Sequence, residues 1–506
     1  MIRLAGWSFQ KFIWEGVKNV AANTYDKTSP KSIEAYAKRL IGHTFLDVLE
    51  GRLADTDTVA EQAESYGNKN RKGGLGNLLE EAYFGYAANS ISAADFIDAG
   101  VELKATPYEL TRKGEYRAGE RLVLSMIDYS KEIETELTDS HMWQKCKLLL
   151  LIYYWRNRSL DDNLLYPIQF VSLFTPTSTD LAIIESDYRT IVEKIKAGKA
   201  EELSESDTFY LGACTKGATA EKSIVPQFYP PHTPAKKRAF CYKNSYMTYV
   251  LNEYIITGTE TYEPLIKDPS ELADISFTQL IVSRIDAYKG KSDEQLCKMF
   301  GREYNNNKAQ WTDLTYRMLG IKSNNAAEFK KANIVVKVIR VEEDGNMNEC
   351  LSFPAFKYKE LINEEWENST LRSYFDETKF FFVVFKRKGE RYYLHGSQFW
   401  NMPYDDLESD VKSGWQNVVD TIKSGVKLTP VRQKNGIVVK NNLPKKSDNR
   451  IIHVRPHTSK TYYEFTDGTI IAKGTKSNAN QLPDGTWMTD YSFWINNDYI
   501  LGQLGI

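Results

Sequence analysis

GLGNLLEEAYFGYAANSISAADFIDAGVELKATP, residues Gly74 to Pro107, carries acidic side chains at Glu80, Asp95 and Glu102 and a lysine at Lys104. In Gly100-Val101-Glu102-Leu103-Lys104-Ala105 the two-residue period of a strand puts Glu102 and Lys104 on one face, and Val101 and Leu103 on the other, toward a core. Ahead of it, Leu75, Leu78, Leu79, Ala82, Tyr83 and Tyr86 recur at helical spacing, with Glu80 and Glu81 off that stripe. Two carboxylates, Asp95 and Glu102, and one ammonium then converge at a strand end. Such a set suits a phosphodiesterase working with a divalent metal. Hard oxygens hold Mg²⁺, the metal polarises the scissile phosphate and lowers the pKa of water, and the lysine orients that water.

An acid followed by acid-x-Lys is a common pattern in a chain with 67 acidic residues. Glu328-Phe329-Lys330 after Asp313, and Glu377-Thr378-Lys379 after a cluster of glutamates, also fit it. Each lies just before an apolar run instead of inside one. The helical stripe and the strand around Glu102 set the first match apart.

The stretch also resembles a known family. LLE, then DF, then AGVELK, with seven positions from Asp95 to Glu102, is similar to the MutH family, which includes the mismatch-repair nicking endonuclease and the Sau-type restriction endonucleases that cut at GATC. Ser140-His141 followed by Lys145 and Lys147 resembles the family's second-lysine segment. Tyr210 to Ala218, YLGACTKGA, resembles its base-reading loop, and Arg238 to Leu251, RAFCYKNSYMTYVL, its closing helix. The likeness covers most of residues 30 to 255. It implies a PD-(D/E)xK nuclease fold, Glu80 as support for the metal or the water (with Glu81 competing), and Lys145 as a second catalytic lysine. It also implies GATC as target, read in the major groove by the loop around Lys216 and by Arg238 to Tyr246, with Lys243 among them. At Cys214 and Thr215 the chain departs from the nicking enzyme, which has arginine and proline there.

Length and composition bound the rest. At 506 residues the chain exceeds one ordinary core, so two or more domains are expected. Five cysteines without a CxxC pair argue against a zinc ribbon or disulfide framework and fit a reduced cytoplasm. No 18-residue apolar run suggests a membrane span. The net charge of −2 is unevenly spread: Lys423 to Lys460 holds ten Lys/Arg against Asp448 alone, and Lys216 to Lys243 six against Glu221. Such blocks attract phosphate whatever the total charge. Lys69, Arg71 and Lys72, just ahead of the Glu80 helix, are placed to meet a DNA backbone.

Along the chain, Ser32 to Val48 has the period of a helix or helix pair. Glu120 to Ile127 alternates as a strand, Leu148 to Trp155 is an apolar strand, and Glu185 to Lys196 a helix closing at Gly198. Thr208 to Leu211 is expected as a strand and Phe240 to Leu251 as a helix. Strands and helices mix without a strict βαβ rhythm, which points to an α/β fold with a mixed sheet.

The second half repeats the first. Trp311 to Gly320 parallels the Glu80 helix, Glu328-Phe329 parallels Asp95-Phe96, and Ile334 to Lys337 parallels Val101 to Lys104 at the same offset of 233. Phe380 to Phe385 parallels the strand at Leu148, Ile452 to Lys460 the base-reading loop, and Phe493, Asn497 and Tyr499 parallel Phe240, Asn244 and Tyr246. Val335 stands where Glu102 would be and Thr315 where Glu80 would be, which should not hold Mg²⁺ well. The strongest basic block nonetheless lies here, and Arg455-Pro456 occupies the place of Cys214-Thr215. Two tandem domains are therefore expected, a catalytic one over 1–260 and a degenerate, DNA-binding or effector one over 276–506, joined by a linker at 261–275, with Arg455 and Lys460 among the DNA contacts.

The expected chemistry is Mg²⁺-dependent hydrolysis of a DNA phosphodiester, with Asp95 and Glu102 as metal ligands alongside a backbone carbonyl near Leu103. Lys104 positions or helps deprotonate the water and stabilises charge on phosphorus. One active site per chain cuts one strand, so a double-strand break needs two chains or two visits, and DNA-dependent pairing of two chains is expected. A mismatch-repair nicking enzyme and a non-catalytic DNA-binding protein are the competing readings. The intact acids of the first copy, beside their loss in the second, weigh against the latter.

Overall fold

Glu102–Leu110 forms a strand, and its neighbour is the apolar run Leu149–Trp155. The two pair in parallel, Glu102 opposite Leu149 and Lys104 opposite Leu151. Tyr116–Ala118 and Ile168–Phe174 flank them in antiparallel sense, which makes a mixed four-stranded sheet. The first five residues of Leu149–Trp155 are buried. A strand covered on both faces has no polar side to show, so its sequence is continuously apolar instead of alternating.

A computed structural model describes residues 25–52, 56–67, 73–86, 93–111, 113–216, 223–305, 307–323, 325–434 and 436–505. The chain forms two compact units. One comprises residues up to Glu120 with Thr138–Thr175, the other Arg121–Leu137 with Pro176–Ile506. Both positions expected to bound the linker, 260 and 276, thus fall inside the second unit.

In the first unit the stretch Ser32 to Val48 is a helix pair. Pro30–Ala37 starts behind Ser29, whose side chain accepts from the Ser32 N–H, and Phe45–Arg52 follows the left-handed Gly42. Ile33, Phe45, Leu78, Leu79, Phe96 and Val101 pack with Leu150 and Ile152 of the sheet into one core. Each such side chain contributes ~1.5–3 kcal/mol by leaving water. The stripe read as a helix runs as α-helix over Gly74–Leu78, widens to a π-turn over Leu79–Phe84, and stops at Gly85 with φ +71°.

The second unit contains the repeat. Arg238–Tyr242 lies between Leu122–Met126 and Leu211–Thr215, and Tyr491–Ile495 lies likewise between Leu351–Ala355 and Ile452–Pro456. Tyr242 faces Leu122 and Leu211, as Ile495 faces Leu351 and Ile452. Ile334–Val341 runs parallel to Lys379–Lys388, which pairs antiparallel with Arg391–Trp400. That order repeats the Glu102, Leu149 and Ile168 strands of the first copy. Val335 faces Phe380 where Glu102 faces Leu149. The chain is an α/β protein made of one design used twice.

Two expected elements come out differently. The strand expected at Thr208 to Leu211 begins at Leu211 and runs to Thr215. The segment RAFCYKNSYMTYVL is not one helix: Arg238–Tyr242 is the middle strand of its sheet, and Asn244–Tyr249 is the helix. All five strand residues are buried, so neither face alternates and the strand is easily read as the start of the helix behind it.

Within this unit a buried ionic cluster ties the two halves of the chain. Lys331 Nζ donates to Asp180 Oδ1 at 2.8 Å, to the Tyr254 hydroxyl at 2.8 Å and to Glu260 Oε1 at 3.0 Å. Asp180 and Lys331 are 0% and 4% exposed.

Candidate active site

The strand at Glu102, the turn at Asp95, the π-turn at Glu80 and the helix His141–Cys146 bring the acids and lysines of the first unit together. Ser140 starts that helix by accepting from the Trp143 N–H at 3.1 Å, and this sets Lys145 in its last turn. Lys104 Nζ donates to Glu102 Oε1 at 2.7 Å, and Lys145 Nζ lies 3.3 Å from the same oxygen. Asp95 Oδ2 accepts the Leu103 N–H at 2.8 Å, which fixes its carboxylate against the strand.

As expected, Val101 and Leu103 face the core. Glu102 is buried as well, at 2% exposure. The field in this site is strong. Burial first, then the Glu102 carboxylate, push the Asp95 carboxyl up to about 7 against the pull of the Leu103 hydrogen bond. Burial and Glu102 likewise raise Glu80, with Lys104 and Lys145 opposing. Burial works against the Lys104 ammonium, but Glu102 and Asp95 outweigh it and raise its pKa. Lys104 is therefore a fixed cation that can donate hydrogen bonds. The neighbouring Cys146 thiol is pushed up to about 12, chiefly by burial, and stays neutral.

Glu80 and Glu81 differ in their partners. Glu81 accepts from the Tyr66 hydroxyl, whereas Glu80 feels the Glu102, Lys104 and Lys145 charges. Tyr86, read from sequence only as part of the apolar stripe, has a buried hydroxyl with no hydrogen-bond partner, and Asp95, Glu80 and Glu102 add to burial in raising its pKa. Nothing in its spacing distinguishes it from a core tyrosine.

A divalent cation fits this set. Glu102 Oε2 is buried without a hydrogen-bond partner, and two carboxylates share a desolvated site that holds Asp95 partly protonated near neutrality. A hard cation between them would satisfy the oxygen and stabilise both charges. Among the described residues no group of three or more His, Cys, Asp or Glu is placed to hold a metal. A cation held by this pair of carboxylates would have to complete its coordination with backbone or water oxygens.

A raised carboxylate costs stability once it ionises. Because the folded pKa of Asp95 lies above its unfolded value, the folded chain binds the extra proton between about pH 4 and pH 7, and the stability associated with it is lost as pH rises through that window. Asp95→Asn should therefore raise the melting midpoint in EDTA at pH 8, by about 1–2 kcal/mol or a few degrees, and flatten the pH dependence. A lower midpoint at pH 8 would show that Asp95 is not strained.

A family model described as DNA mismatch repair enzyme MutH matches residues 84–187, a span that contains Asp95, Glu102, Lys104 and Lys145. The type II restriction enzyme Sau3AI of Staphylococcus aureus is 35% identical over 473 residues, covering 86% of this chain and 93% of that enzyme. The chain belongs to the MutH/Sau-type restriction endonuclease family. It is a type II restriction enzyme, a site-specific deoxyribonuclease. Enzymes of this kind generally use a divalent metal, in keeping with the unsatisfied Glu102 oxygen.

In this MutH/Sau-type chain the second copy is rearranged where the first gathers its acids and lysines. The helix Lys308–Leu319 ends on the left-handed Gly320 as the Glu80 helix ends on Gly85, and counting back from each glycine places Thr315 over Glu80. The Thr315 hydroxyl is buried and donates to the Trp311 carbonyl at 3.0 Å. Glu328 is committed to the expected linker, accepting from the Leu265 N–H at 2.8 Å and the Ile266 N–H at 3.0 Å. Burial alone lowers the Lys337 pKa, with no carboxylate to offset it.

The residues expected to touch DNA divide by exposure. Arg455 is exposed, with its guanidinium stacked 3.8 Å from the Trp494 ring centroid, and Lys460 is exposed. Lys216 is half-buried at the end of its strand. Arg238, Lys243 and Tyr246 are instead 4%, 4% and 0% exposed. Arg238 Nη1 donates to the Ala213 carbonyl at 2.7 Å, Lys243 Nζ to the Thr208 carbonyl, and the Tyr246 hydroxyl to Asp180 Oδ2 at 3.1 Å. In this structure these three brace the sheet and its following helix instead of presenting polar groups to a duplex. Lys72 lies outside the described residues.

Register also confirms where the sequence departs from the nicking enzyme. Cys214 faces Ala239 and Arg455 faces Ser492, so Arg455-Pro456 occupies in the second copy the place of Cys214-Thr215 in the first.

Proposed function

We propose that residues 1–260 form a Mg²⁺-dependent endonuclease domain that hydrolyses one DNA strand at GATC, and that residues 276–506, beyond a linker at 261–275, form a catalytically inactive copy that binds DNA. The observation that carries this reading is the Asp95, Glu102, Lys104 and Lys145 cluster with its unsatisfied Glu102 oxygen, set against Val335 and a reassigned Glu328 in the copy.

Asp95 and Glu102 would hold Mg²⁺. When bound there, the ion supplies Lewis acidity to the scissile phosphate and lowers the pKa of the attacking water. Lys104, kept cationic by Glu102, orients that water and stabilises charge building on the phosphoryl oxygens. Lys145, on the other side of the same carboxylate oxygen, adds a second cation at the phosphate. Glu80 accepts a hydrogen bond from the water or supports the metal from the π-turn. The same reading places the enzyme in the cytoplasm; among the described residues no helix is long and apolar enough to cross a membrane.

With one active site per chain, a double-strand break needs two chains, and DNA-dependent pairing of two copies follows from the proposal. Digestion of a GATC plasmid with Mg²⁺, with mapping of the ends, tests it. Linear product with ends at GATC is the expected result. Product that stays nicked would favour the mismatch-repair type of activity, and no cutting would overturn the reading. For recognition, Lys216→Ala is expected to weaken binding to a GATC duplex by about 1–3 kcal/mol more than binding to a scrambled duplex. An equal loss on both would place Lys216 on phosphate alone.

A further inference from the structure

The two copies differ in length between the helix Ser178–Lys196 and the strand Leu211–Thr215 of the first and the helix Lys412–Lys423 and the strand Ile452–Pro456 of the second. From the left-handed Gly198 to Leu211 the first copy uses 12 intervening residues, and from the left-handed Gly425 to Ile452 the second uses 26. The added length builds a two-stranded antiparallel ribbon, Thr429–Gln433 with Gly436–Lys440, closed at the Gln433 and Gly436 pair. Among the described residues no third strand joins it. Val439, at its base, is buried in the domain core, while the outer part stands in solvent.

Register gives the ribbon two similar faces. Arg432 sits opposite Ile437 on one, while Val431 opposite Val438 and Thr429 opposite Lys440 share the other. Ile437 and Val438 are 49% and 39% exposed. Lys427, Arg432, Lys434 and Lys440 are exposed. Among the described residues none of these four forms an ion pair, and from Lys423 to Ser447 the chain has no acidic residue. Two cations outside the ribbon are neutralised: Lys446 pairs with Asp498, and Arg450 with Asp406 and Asp410. A lone ribbon with exposed branched apolar side chains is marginal by itself and is an open edge for pairing. Its free cations, with no acid between them, match a polyanion.

We propose that the Thr429–Lys440 ribbon enters a groove of duplex DNA, with the face that carries Val431 and Val438 toward the base edges and Lys427, Arg432, Lys434 and Lys440 on the phosphates of the groove walls. The major groove admits a two-stranded ribbon, and thymine methyl groups offer apolar contact there. This rests on the reading of the second copy as DNA-binding and names the element that makes the contact.

The test uses full-length protein in EDTA with 30-bp duplexes, with and without GATC, across a salt series. The triple variant Arg432→Ala/Lys434→Ala/Lys440→Ala changes only exposed side chains, and an unchanged melting midpoint checks its fold. Its slope of log affinity against log salt should be shallower by about 2–3, the release expected for three phosphate contacts, with at least tenfold weaker binding at 0.15 M salt on both duplexes. Val438→Asp should weaken binding at least tenfold through a carboxylate placed in the groove. A triple variant with the wild-type slope overturns the proposal. Loss of self-association in sedimentation at unchanged DNA affinity overturns it too, and assigns the ribbon to a second copy of the chain. If wild-type protein itself binds neither duplex, the reading beneath has failed instead.

Discussion

Glu102→Ala should stop cleavage, with turnover of a GATC plasmid falling at least ~10³-fold, because the change removes both the proposed metal ligand and the acceptor that holds two lysines. Affinity for a duplex in EDTA should stay within about threefold or increase, since losing a buried carboxylate leaves Lys104 and Lys145 free to face phosphate. Lys104→Ala should lose ~10²–10⁴-fold in rate with similar retention of binding. Gel-shift titration beside a timed digest separates the two quantities. Either variant cutting at the wild-type rate would remove the site from this cluster.

The largest stability effect is expected from Lys331→Met. Lys331 is the cation of the buried cluster at Asp180, and removing it strands a fully buried carboxylate held by the Tyr246 and Tyr254 hydroxyls. Breaking one side of such a pair costs ~3–5 kcal/mol, seen as a melting transition several degrees lower. The double change Asp180→Asn/Lys331→Met should recover much of that loss, because no fully buried charge is left unpaired; Glu260, partly exposed, keeps the Tyr254 hydroxyl. A single variant within about 0.5 kcal/mol of wild type would show that the cluster does not hold these segments together.

The catalytic strand was legible because its two periodicities are local. Alternation around Glu102 and the stripe at Leu75 to Tyr86 need no distant partner to be read. The repeat was legible for the same reason, and it survives to the pairing of individual residues, with Val335 opposite Phe380 as Glu102 is opposite Leu149. The base-reading segment was not. Arg238 and Lys243 look like surface cations in sequence, yet each is buried against a backbone carbonyl some 25 and 35 residues earlier. Lys243 is also drawn by Asp187, which accepts the Phe209, Tyr210 and Leu211 N–H groups. Such a network exists only once the strand order is known. The ribbon did leave a signal, Asn435-Gly436 between two β-branched runs, which the density of positive charge in that block obscures.

Glu328 gives the loss of chemistry in the second copy a direction. Its carboxylate now clasps the amides of Leu265 and Ile266, two apolar residues that are 1% and 3% exposed. Restoring the missing acids at Val335 and Thr315 would not by itself rebuild a metal site, because the remaining acid already has another job in folding. A reverting lineage would first have to find a new anchor for its own connecting segment. On the proposed reading the second copy is therefore held by a ratchet: the clasp and a metal site would compete for the same carboxylate.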